Sequence, residues 1–288
     1  MEENKEKEKP FPVKTGGILF WEVFLFTLTF VLGISTAYRI NIIAPQPKIE
    51  VTPSFFYQFI LSTAFAVAII LLIIRLIKSG FKKRVLFRAI FLLAFFFGSL
   101  LFFEVWLGEP MALILLLFLI FLWLKMPNIF THDLLLISGM AGLGSFLGLG
   151  LTPEAVAILL VIFSVYDVIA VYKTKHMVKM AKEMTEAGAL PGLILPSRVS
   201  ELNTPLEKIS LGGNFLILGG GDIVFPLFFS VSALQGGIIK SVIIALFATL
   251  GLLASFWIFF QQKERRAIPA LPPIALFSII GYLFSLLI

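Results

Sequence analysis

The chain has no cysteine and only two histidines, and charged residues make up just 14% of its 288 positions. Without cysteine there are no disulfides and no thiolate nucleophile, and His132 and His176 stand too far apart for a zinc-ligand spacing. No metal and no cofactor is expected. Also missing is a basic stretch leading straight into a short apolar run with a small-residue cleavage site, so the opening MEENKEKEKPFPVKTGG does not read as a cleaved signal peptide. Neither a Gly/Ser-rich linker nor an internal repeat divides the rest. The chain therefore reads as a polar tail, 1–16, and a single membrane domain, 17–288, with scaffold spans in 17–151 and a second set in 154–288 interrupted by a polar loop at 173–213.

What is abundant is apolar surface: 59% of residues are hydrophobic and the mean hydropathy is +1.02, values of an integral membrane protein. The net charge of +6 does not point to nucleic acid, because the basic residues flank apolar segments where the positive-inside bias puts them. The expected partner is the lipid bilayer. Apolar runs long enough to cross a hydrocarbon core, about 17–25 residues as helix, fall at 17–37, 54–77, 89–107, 111–126, 133–151, 154–172, 214–236, 241–260 and 268–288. With these nine spans, 20 of the 23 Lys and Arg lie on the side of the N-terminus. Omitting the short fourth span divides them 11 against 12 and erases the asymmetry. The expected fold is an all-α membrane protein of nine transmembrane helices, N-terminus cytoplasmic and C-terminus extracytoplasmic.

Within the loop 173–213, Met177, Met180, Ala181 and Met184 recur at helical spacing opposite the charges, which predicts an amphipathic helix on the membrane surface. The following ALPGLILPSRVSELNTP, with three prolines, is expected to be irregular. This loop reads as a solvated connector or, alternatively, as a gate over a membrane-embedded site.

Two carboxylates stand out. Asp167 lies in AVAILLVIFSVYDVIAVY and Asp222 in NFLILGGGDIVFPLFFSVSAL. A charge at the centre of a membrane helix costs roughly 2.5–3.5 kcal/mol and marks a functional site whose partner should be named. Counting from the span ends, Asp167 sits roughly 8 Å and Asp222 roughly 12 Å below the cytoplasmic surface at 1.5 Å per residue. Two consecutive antiparallel helices thus carry one aspartate each at similar depth. If the side chains meet at about 4 Å, they repel by roughly 4 kcal/mol at an effective dielectric near 20, and they share one proton. Such a pair can activate water with one member and hold the substrate carbonyl with the other.

Backbone signals surround the pair. Gly219, Gly220 and Gly221 precede Asp222 and allow close backbone approach or a loosened helix, with plain helix packing as the alternative. Span nine opens on Ile268-Pro269-Ala270-Leu271-Pro272-Pro273, whose prolines argue against a regular first turn. The small residues of GMAGLGSFLGLG in span five read as helix contacts.

Together, Tyr166-Asp167, Gly219-Gly220-Gly221-Asp222 and Pro269-Ala270-Leu271, in this order on three late spans, resemble the intramembrane aspartyl proteases comprising presenilins and signal peptide peptidases. The likeness is clearest over 154–288. It implies that Asp167 and Asp222 are the catalytic pair and that Pro269, Ala270 and Leu271 shape the site, with Tyr166 and the three glycines beside them. It further implies substrates that are single-span membrane proteins or signal peptides. Gly220 stands where presenilins commonly have leucine, so substrate preference does not carry over, and the short 173–213 loop gives no ground to expect autoproteolytic maturation. The small, cysteine-free chain looks like an archaeal member, placed in a plasma membrane and acting without accessory subunits.

Two other classes use similar residues: a proton- or cation-coupled transporter with paired intramembrane carboxylates, and a prepilin or preflagellin peptidase, which shares the Gly-x-Gly-Asp aspartate. Bland readings fall to Glu104, facing interfacial water, to His176 among lysines, and to His132 beside Asp133 at a span entrance. Trp21, Trp106 and Trp123 are expected in the aromatic belts.

Overall fold

A computed structural model describes residues 15–43, 75, 83–174, 176–209, 215–262 and 267–288. The expected span at 54–77 lies outside these residues except for Arg75, as does nearly all of the tail 1–16. The described chain is mostly helical. It comprises α1 (Thr15–Ile43), α2 (Lys83–Leu107), α3 (Glu109–Lys125), α4 (Ile129–Gly150), α5 (Pro153–Val168), α6 (His176–Ala187), α7 (Gly220–Ser232), α8 (Ile238–Gln261) and α9 (Leu271–Ser285), with two short strands, β1 (Gly192–Leu195) and β2 (Leu216–Gly219).

Local chemistry sets the helix ends. Gly108, at φ 80°, makes the left-handed corner between α2 and α3. Asn128 caps α4 by accepting the Thr131 N–H at 2.9 Å, and the Asn128 N–H donates back to the Thr131 hydroxyl at 3.4 Å. Thr152 caps α5, with Pro153 at the first helical position. Beyond Val168 the helix continues as a π-helical turn, Ile169–Lys173, so this span ends close to the expected 172.

Among the described residues, five helices are long and apolar enough to cross a membrane: α1, α2, α4, α8, and α5 with its π turn. Of these, α1, α2, α5 and α8 expose much of their apolar surface, whereas α4 is largely buried and forms the central post of the bundle. Its small residues permit this. A Cβ on Gly142 would run into the Gly98 carbonyl of α2, one on Gly144 into Leu227 of α7, and one on Gly148 would lie 2.7 Å from Val231. The small-residue contacts expected of GMAGLGSFLGLG are thus present. Hydroxyls add interhelical bonds, from Ser145 to the Gly33 carbonyl at 2.7 Å and between Ser99 and Ser138 at 2.9 Å.

Several expectations need correction. The segment after α6 is not irregular throughout, for β1 forms within it and pairs antiparallel with β2 in the register Gly192↔Gly219 to Leu195↔Leu216. The seventh span is not one helix over 214–236, because Leu216–Gly219 is extended and the α-helix begins only at Gly220. Glycine is a poor helix former, and the apolar run before the glycines satisfies its backbone across the sheet instead. An all-α description therefore gives way to a helical bundle with a two-stranded sheet. In span nine the helix starts at Leu271, and Pro272 and Pro273 sit in its first turn, where a missing N–H has no intrahelical partner to lose. Trp123 is not in a belt: it is 1% exposed and stacks on Phe91 at 5.2 Å.

Candidate active site

The rings of Phe163 on α5 and Phe225 on α7 stack at 4.2 Å with an interplanar angle of 21°. Asp167 follows Phe163 by four residues and Asp222 precedes Phe225 by three, so each carboxylate shares a helix face with its stacked ring. Both lie one turn nearer the end of the bundle that carries the strands. The two side chains come close enough for their charges to interact. Asp167 is buried and Asp222 half-buried.

A third helix completes the arrangement. The Leu271 N–H, the first of α9, donates to Asp167 Oδ2 at 3.3 Å. The segment before it is held by α8, where the Ser255 hydroxyl donates to the Ala270 carbonyl at 3.1 Å. At Gly251 of α8 the backbones nearly touch, since a Cβ there would sit 2.6 Å from Ile274 Cα. Pro269 and Ala270 thus deliver Leu271 to the carboxylate, and Ser255 and Gly251 are supports that sequence reasoning did not single out.

Each glycine before Asp222 has its own task. A Cβ on Gly219 would lie 2.9 Å from Asp222 Oδ2, so the Gly219 backbone lies directly against this carboxylate. Gly220 donates its N–H to the Pro191 carbonyl at 2.9 Å, tying the start of α7 to the approach to β1. Gly221 is exposed and meets only the ring of Phe225. Gly219→Ala should therefore displace the Asp222 carboxylate and lower the turnover rate about tenfold or more, whereas Gly221→Ala should change it less than threefold; steady-state kinetics of the two variants compares them.

Tyr166, expected beside the site, is 60% exposed. Consecutive helix residues point in different directions, and burying Asp167 turns its neighbour outward. Two further groups went unnoticed in the sequence. Glu22 of α1 is buried at 4% exposure, its Oε2 has no hydrogen-bond partner among the described residues, and it lies close enough to Asp222 for the two carboxyls to interact electrostatically. The anomaly that singled out the aspartates, a carboxylate inside an apolar run, applies equally to Glu22 in ILFWEVFLF. Ser164, one turn before Asp167, has a buried hydroxyl without a hydrogen-bond partner among the described residues. It gave no comparable signal, because serine is ordinary in membrane helices.

A family model described as signal-peptide peptidase, presenilin aspartyl protease matches residues 19–288. Two solved structures of a presenilin family intramembrane aspartate protease resemble the fold. The C222 crystal form gives a TM-score of 0.63 at 19% identity, covering 93% of this chain and 98% of that one. The P2 form gives 0.61 at 20% identity, covering 92% and 96%. A comparison with curated proteins gave no match. With the family model spanning nearly the whole chain, this protein belongs to the family of signal-peptide peptidases and presenilin aspartyl proteases.

Proposed function

We propose that the chain is an intramembrane aspartyl endopeptidase of the Gly-x-Gly-Asp type, hydrolysing peptide bonds within transmembrane helices with Asp167 and Asp222 as its catalytic pair. The observation that carries this reading is the Phe163–Phe225 stack, one turn from both carboxylates, with the Leu271 N–H on Asp167. In the reaction one carboxylate takes a proton from water as the water oxygen bonds to the scissile carbonyl carbon, and the protonated partner gives its proton to the carbonyl oxygen. The resulting gem-diol returns a proton to the second carboxyl while the first protonates the departing nitrogen. The C–N bond breaks and the pair is restored to its starting state. Which aspartate starts protonated is a property of the coupled pair.

Substrate binding follows from the sheet. Among the described residues β1 and β2 form a two-stranded sheet, so within these residues β2 keeps an edge free of strand partners immediately before Asp222. An unwound substrate segment added there presents its carbonyls beside the carboxylates. A helical substrate hides those carbonyls in its own hydrogen bonds, so helix-breaking residues near the cut should speed cleavage several-fold. We place the protein in the plasma membrane of an archaeal cell with nine spans, the N-terminus and the site on the cytoplasmic side, acting on single-span proteins or signal peptides without accessory subunits. The 20-to-3 division of basic residues supports the orientation.

The test is purified protein in detergent with a single-span substrate. Fragments whose masses put the cut inside the membrane segment are the expected result. Ion-dependent solute uptake by proteoliposomes without any cleavage would overturn the reading in favour of a transporter.

A further inference from the structure

We propose that His132 and Asp133 are positioning residues for Asp222, acting through β1; this rests on the protease reading above. Neither side chain touches the carboxylate pair. Both stand in the second turn of α4 and are buried, at 0% and 4% exposure, and both are spent on one strand. The His132 Nε2–H donates to the Gly192 carbonyl at 3.3 Å, and Asp133 Oδ1 accepts the Ile194 N–H at 3.0 Å. A carbonyl only accepts, so this bond places the imidazole proton on Nε2. The ring is clamped against Phe91, with centroids 5.1 Å apart and planes 11° from parallel.

Strand geometry makes the consequence specific. Residues two apart direct their backbone polar groups to the same side. Gly192 and Ile194 face α4, so Leu193 and Leu195 face β2, paired there with Leu218 and Leu216. His132 and Asp133 thus occupy the edge of β1 that β2 does not use, and they fix where the strand sits. Two ties pass that position on. The Leu193–Leu218 pairing sets β2 just ahead of the glycines, and the Gly220 N–H on the Pro191 carbonyl sets the first residue of α7. Asp222 stands two residues further on, its carboxylate against Gly219. A strand free to slide would move Asp222 relative to Asp167, which is held separately by Leu271.

This predicts a defect in turnover, since a displacement of about 1 Å can cost on the order of a hundredfold in rate. The experiment compares cleavage of a single-span substrate by wild type, Asp133→Ala, Asp133→Asn and His132→Phe, with thermal unfolding in detergent measured for each. Asparagine keeps an oxygen for the Ile194 N–H, and phenylalanine keeps the stack on Phe91 but loses the donor to Gly192. The expected result is kcat lowered about 10- to 100-fold in Asp133→Ala and His132→Phe, KM within about threefold, and Asp133→Asn restored to near wild type. Should Asp133→Ala fail to fold, His132→Phe against wild type decides. Folded variants with wild-type kcat, a change in KM alone, or an Asn variant as slow as Ala would overturn the proposal while leaving the protease reading standing. A wild type that cleaves nothing would overturn both.

Discussion

Replacing either Asp167 or Asp222 by asparagine is expected to slow peptide-bond cleavage by about a thousandfold or more while leaving the fold intact. Positioned proton transfer contributes about 10²- to 10⁴-fold, and each aspartate both gives and takes a proton in the cycle. Asparagine matches the carboxylate in shape but can do neither. It also preserves local structure, because an amide oxygen at position 167 still accepts the Leu271 N–H and one at 222 still lies against the Gly219 backbone. Single-turnover cleavage rates, paired with thermal unfolding of each variant in detergent, separate lost chemistry from lost fold. An asparagine variant that keeps a tenth or more of the wild-type rate would remove that residue from the chemistry.

Gly142→Leu is expected to produce the largest loss of stability, about 3 kcal/mol or more, at or above the usual range for overpacking. The central helix α4 approaches α2 so closely that even a methyl group at position 142 would meet the Gly98 carbonyl and come within 3.0 Å of the Phe102 nitrogen. Both obstacles are backbone, so no side chain can swing aside. Relief requires the helices to part, which also disturbs the Ser99–Ser138 bond one turn away. Gly16→Ala is the matched control. Nothing lies within 4 Å of a Cβ there, and its effect should stay within about 0.5 kcal/mol. Unfolding midpoints in mixed detergent measure both.

The carboxylate pair was legible because its signal is energetic: an ionisable group in an apolar run is costly wherever it points. Direction was not legible from cost alone. It was nevertheless present in the sequence as Phe163 with Asp167 and Asp222 with Phe225, each pair on one helix face. The strands were missed because GLIL and LILG are short apolar runs that serve a strand or a buried helix equally well. Their pairing joins segments separated by the rest of the loop, which no local pattern reports. His132 and Asp133 looked like polar residues at a span entrance, yet the unexpected strand is what they bind. Trp123 at a helix end suggested an interface, but α3 turns it inward onto Phe91. The small-residue face of α4 was read correctly because close helix approach depends on residue size, which sequence states directly.

The central claim is that Asp167 and Asp222 act as one catalytic unit, and the double variant tests it most directly. Residues that act together lose their effect once, so removing the second costs little after the first is gone. Single-turnover cleavage by Asp167→Asn/Asp222→Asn should match that of the slower single variant within about threefold. Losses that multiply, with the double variant slower by the product of the two single effects, would show two independent contributions and contradict the account.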